Sequence, residues 1–298
     1  ILGYRARPSE SLMDVGYKNG AVWYSARYTT DIYGRRVTPL FDPRPRPQFI
    51  ALFGCSIAFG LCLNDDQTLG AWLGRYAPEY MPYNFGYQGH GPQHVMLTLQ
   101  EPLQNEILQP CGIGLYIFDA SHIRRAIGSM VVSTNWGMNF PSYRLENGGL
   151  AFEGSFSSAH PWRQGFYRLL YESRLVICSG FDVPVFLRDK DFELTARMIR
   201  QAAQSFHEKW PESDFYAVFY PREGTAATLC AFTPYLDRYG IKYLYPAGLF
   251  EGRLPVSART VDGGHPTSAA NRLMAQWLTR TLRLHLRENA LRDALLSP

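Results

Sequence analysis

An apolar run at residues 49–53, Phe-Ile-Ala-Leu-Phe, stops at Gly54, and a helical rhythm takes over by Thr68. Further short runs rich in apolar and aromatic residues follow at about 80–85, 113–118, 214–220 and 241–245. Helical periodicity separates or follows them, over about 67–76, 92–108, from Ile123, 193–210, 225–239 and 268–284 and toward the C-terminus. Parallel strands can be joined only by a crossover segment, so this alternation predicts an α/β protein. Its sheet should be mostly parallel, with helices on both faces. Ligands of such sheets bind outside the C-terminal ends of the strands. Four conspicuous positions fall there: Ser56 after the first strand, Gly89 after the second, His122 after the third and His265 after the fifth.

Two stretches lie outside the alternation. In the first, Asn19-Gly20 between aromatic and β-branched residues signals a hairpin, and a proline-rich run from Asp42 to Pro47 acts as a semi-rigid connector. The chain is therefore read as a β extension with connector over 1–47 and an α/β domain over 48–298. The second is an insertion over about 130–185, with a hairpin through Asn147-Gly148 and a helix at 162–171. Its aromatics Trp136, Phe140, Tyr143 and Trp162 either line a cleft or pack the insertion onto the core.

The chain is long enough to bury a full core. A net charge of +4 without a basic cluster argues against a nucleic-acid partner. No run of about 18 apolar residues is present to span a membrane as a helix. Because the sequence opens on an isoleucine, a leader or anchor ahead of it is expected to have been removed. The five cysteines show neither metal-ligand spacing nor an even set for disulfides, so they read as small buried apolar residues. No Gly-x-Gly-x-x-Gly follows the first strand, which argues against a nucleotide site.

Chemistry is concentrated at two places. Ser56 stands at a strand end, against the start of helical sequence, where backbone N–H groups can face an oxyanion. A serine hydroxyl needs an imidazole base, and that imidazole needs a partner to hold its tautomer. Asp262-Gly-Gly-His265-Pro supplies both, three residues apart on one side of a turn. The backbone N–H groups of Ser56 and Gly89 are the expected oxyanion donors. Cys55 is an alternative nucleophile, but its side chain would point away from a site built on Ser56.

Three blocks, Gly54-Cys-Ser56-Ile-Ala-Phe-Gly60, Asn84-Phe-Gly-Tyr-Gln-Gly89 and Asp262-Gly-Gly-His265-Pro, follow one another in the order seen in the SGNH (GDSL-type) hydrolase superfamily, which this chain resembles from about Gln48 onward. The resemblance implies a flavodoxin-like sheet with a Ser56–His265–Asp262 triad and neither metal nor organic cofactor. It implies esterase, lipase or carbohydrate O-acetyl hydrolase or transferase chemistry, with a carbohydrate or small ester as the partner molecule. The layout is also similar to envelope-associated bacterial members acting on polysaccharide O-acetyl groups, which places the protein in the periplasm or envelope. An oligomeric state does not follow.

Two departures stand out. Cys55 replaces the family's aspartate, and the third block lacks its asparagine oxyanion donor, having Asp119-Ala-Ser121-His122 instead. Either Ser121 or His122 is expected to substitute, His122 having the longer reach. His90, Trp136 and Arg124 are expected on the substrate side. His94, His160, His207 and His285 read as structural or solvated. The missing asparagine also leaves room for a different reading, a catalytically silent polysaccharide-binding or scaffold protein.

Overall fold

The computed structural model describes residues 2–284; His285 and any continuation of the last helix lie outside them. The strands are β1 (Ser11–Lys18), β2 (Ala21–Thr29), β3 (Gln48–Gly54), β4 (Tyr80–Asn84), β5 (Cys111–Phe118), β6 (Pro141–Glu146), β7 (Gly149–Ser155), β8 (Asp214–Phe219) and β9 (Tyr243–Leu244). Between β3 and β5 come the helices α1 (Ser56–Phe59), α2 (Leu69–Tyr76) and α3 (Pro92–Gln100). After β5 follow α4 (Ser121–Ala126), α5 (Met130–Asn135), α6 (Phe156–Ala159), α7 (Pro161–Tyr171), α8 (Arg174–Ser179), α9 (Asp189–Lys209), α10 (Ala226–Arg238) and α11 (Ser268–Thr281).

β4, β3, β5, β8 and β9 form one sheet in that order, every pair parallel. Counted along the chain this is the order second, first, third, fourth, fifth, which defines the flavodoxin-like arrangement. The strand order reverses between β3 and β5, and the crevice for a ligand opens above the ends of those two strands. Every residue of β3 is buried, because neighbours flank it on both edges and helices cover both faces. Alternate residues sort onto the two faces. Phe49, Ala51 and Phe53 pack with α3, α9 and α10, whereas Ile50 and Leu52 pack with α2 and α11.

β1 and β2 form a separate hairpin, and Asn19 and Gly20 both take positive φ at its tip, as a two-residue turn matched to strand twist requires. The hairpin leans on the catalytic side of the domain. Tyr28 packs with Phe59 of α1, and its hydroxyl accepts the Cys62 N–H at 2.9 Å. Arg36, buried, clamps this side further through Asp65 at 2.7 Å and the Leu63 carbonyl at 2.7 Å. The insertion holds the anticipated β6–β7 hairpin and α7. Its aromatics divide: Phe140 is core, Tyr143 packs on Phe152, and Trp162 stands 92 % exposed. Trp136 is the one whose ring lies against the Gly89 loop of the crevice.

Candidate active site

Gly54 ends β3 with a φ of +139°, and a Cβ there would lie 2.8 Å from the Ile117 carbonyl oxygen of β5. Only glycine lets the chain turn this close to its neighbour strand. The turn delivers Ser56 as the first residue of α1, 8 % exposed at the mouth of the crevice, while Cys55 beside it is wholly buried. That placement removes Cys55 from contention as a nucleophile.

The partner loop precedes α11, whose first turn is capped by the Thr267 hydroxyl accepting the Ala270 N–H. Within the loop Asp262 Oδ1 accepts the backbone N–H groups of Gly264 at 2.9 Å and His265 at 2.7 Å. This side-chain turn leaves Oδ2 free to meet His265 Nδ1 at 2.6 Å, and His265 Nε2 lies 2.9 Å from Ser56 Oγ. Partial burial opposes the Asp262 charge. The His265 ring and the two backbone donors more than offset it, holding the carboxyl below the usual carboxylate range.

Asn84 fastens the second block to α1. Its amide donates to the Ala58 carbonyl at 2.8 Å, and its oxygen accepts the Gly86 N–H at 3.0 Å. The loop then reaches Gly89, whose φ of +74° is a left-handed conformation. A Cβ on Gly89 would lie 2.2 Å from the Tyr4 hydroxyl and 2.8 Å from the Trp136 ring. Among the described residues the backbone N–H groups of Ser56 and Gly89 make no hydrogen bond to protein, which leaves both for a ligand.

Three sequence expectations are corrected. His122 does not border the crevice: its ring has no exposed surface, stacks on Tyr116 and meets the Tyr116 hydroxyl through Nδ1 at 2.7 Å. Burial pushes its pKa well down, so the ring is neutral. His90 is likewise inside, stacked on His94 at 4.2 Å, with Nε2 3.3 Å from the Tyr4 carbonyl. It props the N-terminal segment over the second-block loop. Arg124 spends its guanidinium on Asp182 at 3.2 Å and the Pro184 carbonyl at 2.8 Å, fastening the insertion. Ser121 opens α4, and its hydroxyl is buried next to the Asp119 carboxylate.

Arg222, after β8, was not singled out from sequence. Its Nε lies 3.4 Å from Asp119 Oδ2 at the end of β5, and its Nη2 donates to the Gly264 carbonyl next to His265. Burial penalises the Asp119 charge, but Arg222 and the Ser121 donors keep its carboxyl below the usual range. A charged pair thus ties the third strand to the histidine loop. No local sequence signal marks it, since Arg222 sits in an ordinary Pro-Arg-Glu-Gly turn.

No protein-family model and no curated protein matches the chain. Solved structures do. A lipolytic protein of the G-D-S-L family from Veillonella parvula aligns at 13 % identity and TM-score 0.45, over 78 % of this chain and 97 % of that one. An acetylxylan esterase from Geobacillus stearothermophilus aligns at 10 % identity and TM-score 0.43, over 80 % and 95 %. A family two carbohydrate esterase from Clostridium thermocellum aligns at 11 % identity and TM-score 0.46, over 85 % and 70 %. At such identities and scores the weight rests on the sheet order and the interatomic distances themselves. In sheet order the chain has a flavodoxin-like build, and in the succession of its three sequence blocks and in the joined Ser56, His265 and Asp262 it resembles the SGNH (GDSL-type) hydrolases.

Proposed function

We propose that this chain is a serine esterase that takes an acyl group, acetyl foremost, from a carbohydrate oxygen onto Ser56. The observation that carries this reading is the unbroken line from Ser56 Oγ to His265 Nε2 at 2.9 Å and from His265 Nδ1 to Asp262 Oδ2 at 2.6 Å. The Nδ1 proton is held by the carboxylate, so Nε2 carries a lone pair toward the hydroxyl. As Oγ attacks the ester carbonyl, its proton passes to Nε2 and the carbonyl oxygen becomes an oxyanion facing the Ser56 and Gly89 N–H groups. Collapse breaks the bond to the sugar oxygen, which leaves with the proton from Nε2. Water or a second sugar hydroxyl then repeats the cycle on the acyl-serine, so hydrolysis and transfer share one intermediate.

Ser121 is the candidate third donor on the strength of its place in the chain, at the position of the family's asparagine. Trp136 supports the carbohydrate half of the reading. Its indole is 39 % exposed beside Gly89 and offers a flat apolar face with a polar edge, suited to the C–H face of a pyranose. A polymeric substrate in the bacterial envelope rests on the resemblance of the sequence blocks. No helix among the described residues is long and apolar enough to cross a membrane. A catalytically silent scaffold gains no support from a triad whose members are all joined.

The test is direct. Incubation with p-nitrophenyl acetate, followed by mass analysis, should show an acetyl group on the Ser56 peptide, absent from Ser56→Ala. Acetylated xylo-oligosaccharides should be turned over by the wild type only. An acetyl group carried by another residue, with Ser56→Ala still active, would overturn the assignment.

A further inference from the structure

A thiol stands beside the carboxylate and imidazole of the triad. Cys62 Sγ lies 3.8 Å from Asp262 Oδ2, the same oxygen that meets His265 Nδ1 at 2.6 Å. Thiol sulfur, carboxylate oxygen and a ring nitrogen of His265 all fall within 4.8 Å of one another. Zinc bonds of about 2.3 Å to sulfur and 2.0–2.2 Å to nitrogen and oxygen set tetrahedral ligand atoms roughly 3.3–3.6 Å apart. The observed separations bracket that spacing.

The backbone supplies a second, independent observation. Cys62 holds a φ of +67°, a left-handed conformation unusual for a residue with a side chain and one that clusters at functional sites. Its surroundings impose the conformation: its N–H donates to the Tyr28 hydroxyl, which itself donates to Asp14 at 2.7 Å. Glycine would occupy this position without strain. The chain instead places a buried thiol there and directs it at the triad carboxylate, whose own side chain and that of His265 are each about one-fifth exposed. An ion therefore has a route from solvent to the three ligands.

We propose that Cys62, Asp262 and His265 form an inhibitory site for a thiophilic divalent cation, zinc foremost. The bound ion takes over the imidazole and carboxylate that Ser56 needs. The inhibitory half of this proposal rests on the esterase reading; the binding half does not. The metal-free Cys62 side chain is an S–H donor to the Asp262 carboxylate. Asp14, Tyr24 and Tyr28 of the hairpin and Asp262 and His265 of the loop are the titratable groups around it. Magnesium and calcium, which require several oxygen ligands, find no match here.

The experiment titrates the chelator-treated protein with Zn²⁺ against a chromophoric chelator and follows p-nitrophenyl acetate hydrolysis in parallel. Cd²⁺ is added separately to read the ultraviolet thiolate-to-cadmium charge-transfer band. One equivalent should bind, and hydrolysis should fall with the same midpoint, while Mg²⁺ and Ca²⁺ leave the rate unchanged. Cys62→Ser should raise the midpoint by at least about tenfold and abolish the cadmium band. Cys62→Gly, which tolerates the backbone conformation, should do the same, each midpoint being referred to the variant's own metal-free rate. Ser56→Ala should bind zinc as the wild type does, which separates failure of the metal site from failure of the esterase reading. Wild-type zinc binding by Cys62→Ser and Cys62→Gly, or its loss only with the exposed Cys178 and Cys230 replaced, would overturn the proposal.

Discussion

His265 Nε2 and Ser56 Oγ stand 2.9 Å apart although 209 positions separate them in the chain. Ser56 stands at the turn that follows β3, and His265 in the loop before the last helix. Their meeting depends on α11 packing against α2, in the apolar cluster where Met274, Ala275 and Leu278 join Ile50 and Leu52 of β3. Each part of that arrangement can be tested separately.

His265→Ala should lower kcat by about 10⁴-fold or more, with little change in KM. Asp262→Asn should cost less, because backbone N–H groups of the loop still meet an oxygen at Oδ1. Steady-state kinetics on p-nitrophenyl acetate reads both. A His265→Ala enzyme within tenfold of wild type would remove the imidazole from the mechanism.

Gly89→Ala should lower kcat by about 10²–10³-fold, the usual cost of one oxyanion donor. Its φ is +74°, and the new methyl would run into Tyr4 and Trp136, so the loop must shift and take the N–H with it. Ser56 should still react with a fluorophosphonate, although more slowly. Unchanged kcat in a folded Gly89→Ala would place the hole elsewhere.

Ser121 and His122 should separate cleanly. Ser121→Ala lowers kcat by about 10²-fold or more if its hydroxyl donates to the oxyanion. His122→Ala instead lowers stability, by about 2–4 kcal/mol, because it opens a cavity and leaves the Tyr116 hydroxyl buried without its partner. Urea denaturation alongside kcat distinguishes the two effects. A stable His122→Ala with depressed kcat would return the histidine to the active site.

Arg222→Ala should lower kcat by about 10- to 100-fold with KM nearly unchanged, because the Gly264 carbonyl loses the contact that sets the height of the His265 loop. Arg222→Lys keeps the charge but not the fork between Asp119 and Gly264, so rescue should be partial. Equal kcat in all three proteins would show that the loop is held by Asp262 alone.

Stability should fall with acidification in a defined window. Burial depresses His90 to about 4 from an ordinary value of 6.5, and His94 is lowered further in the same direction. The unfolded chain therefore binds protons that the folded chain refuses. The loss for His90 begins as pH drops below about 6.5 and is complete near 4. Chemical denaturation across that range should show the decline, and His90→Gln should make it shallower. An unchanged slope in His90→Gln would mean that the buried ring is not the source.

The sequence alone was enough for the sheet, because apolar runs of strand length and helical spacing are local signals that survive without neighbours. The turn at Asn19-Gly20, the hairpin through Asn147-Gly148 and the strand end before Ser56 were legible for the same reason, whereas His265 stands in the loop before α11, well past the end of β9. Residue type alone nominated Ser56, Asp262 and His265, since few side chains can serve as nucleophile, base and orienting acid. Facing directions were decided only in three dimensions. His122 follows β5 by a few residues, yet the first turn of α4 rotates it into the core beside Tyr116, and Arg124 turns to the insertion. Arg222 and Cys62 acquire their places beside Gly264 and Asp262 through contacts spanning 42 and 200 residues. Nothing in the neighbouring sequence of either residue specifies such a contact. It exists because a parallel sheet brings the C-terminal ends of distant strands to one edge.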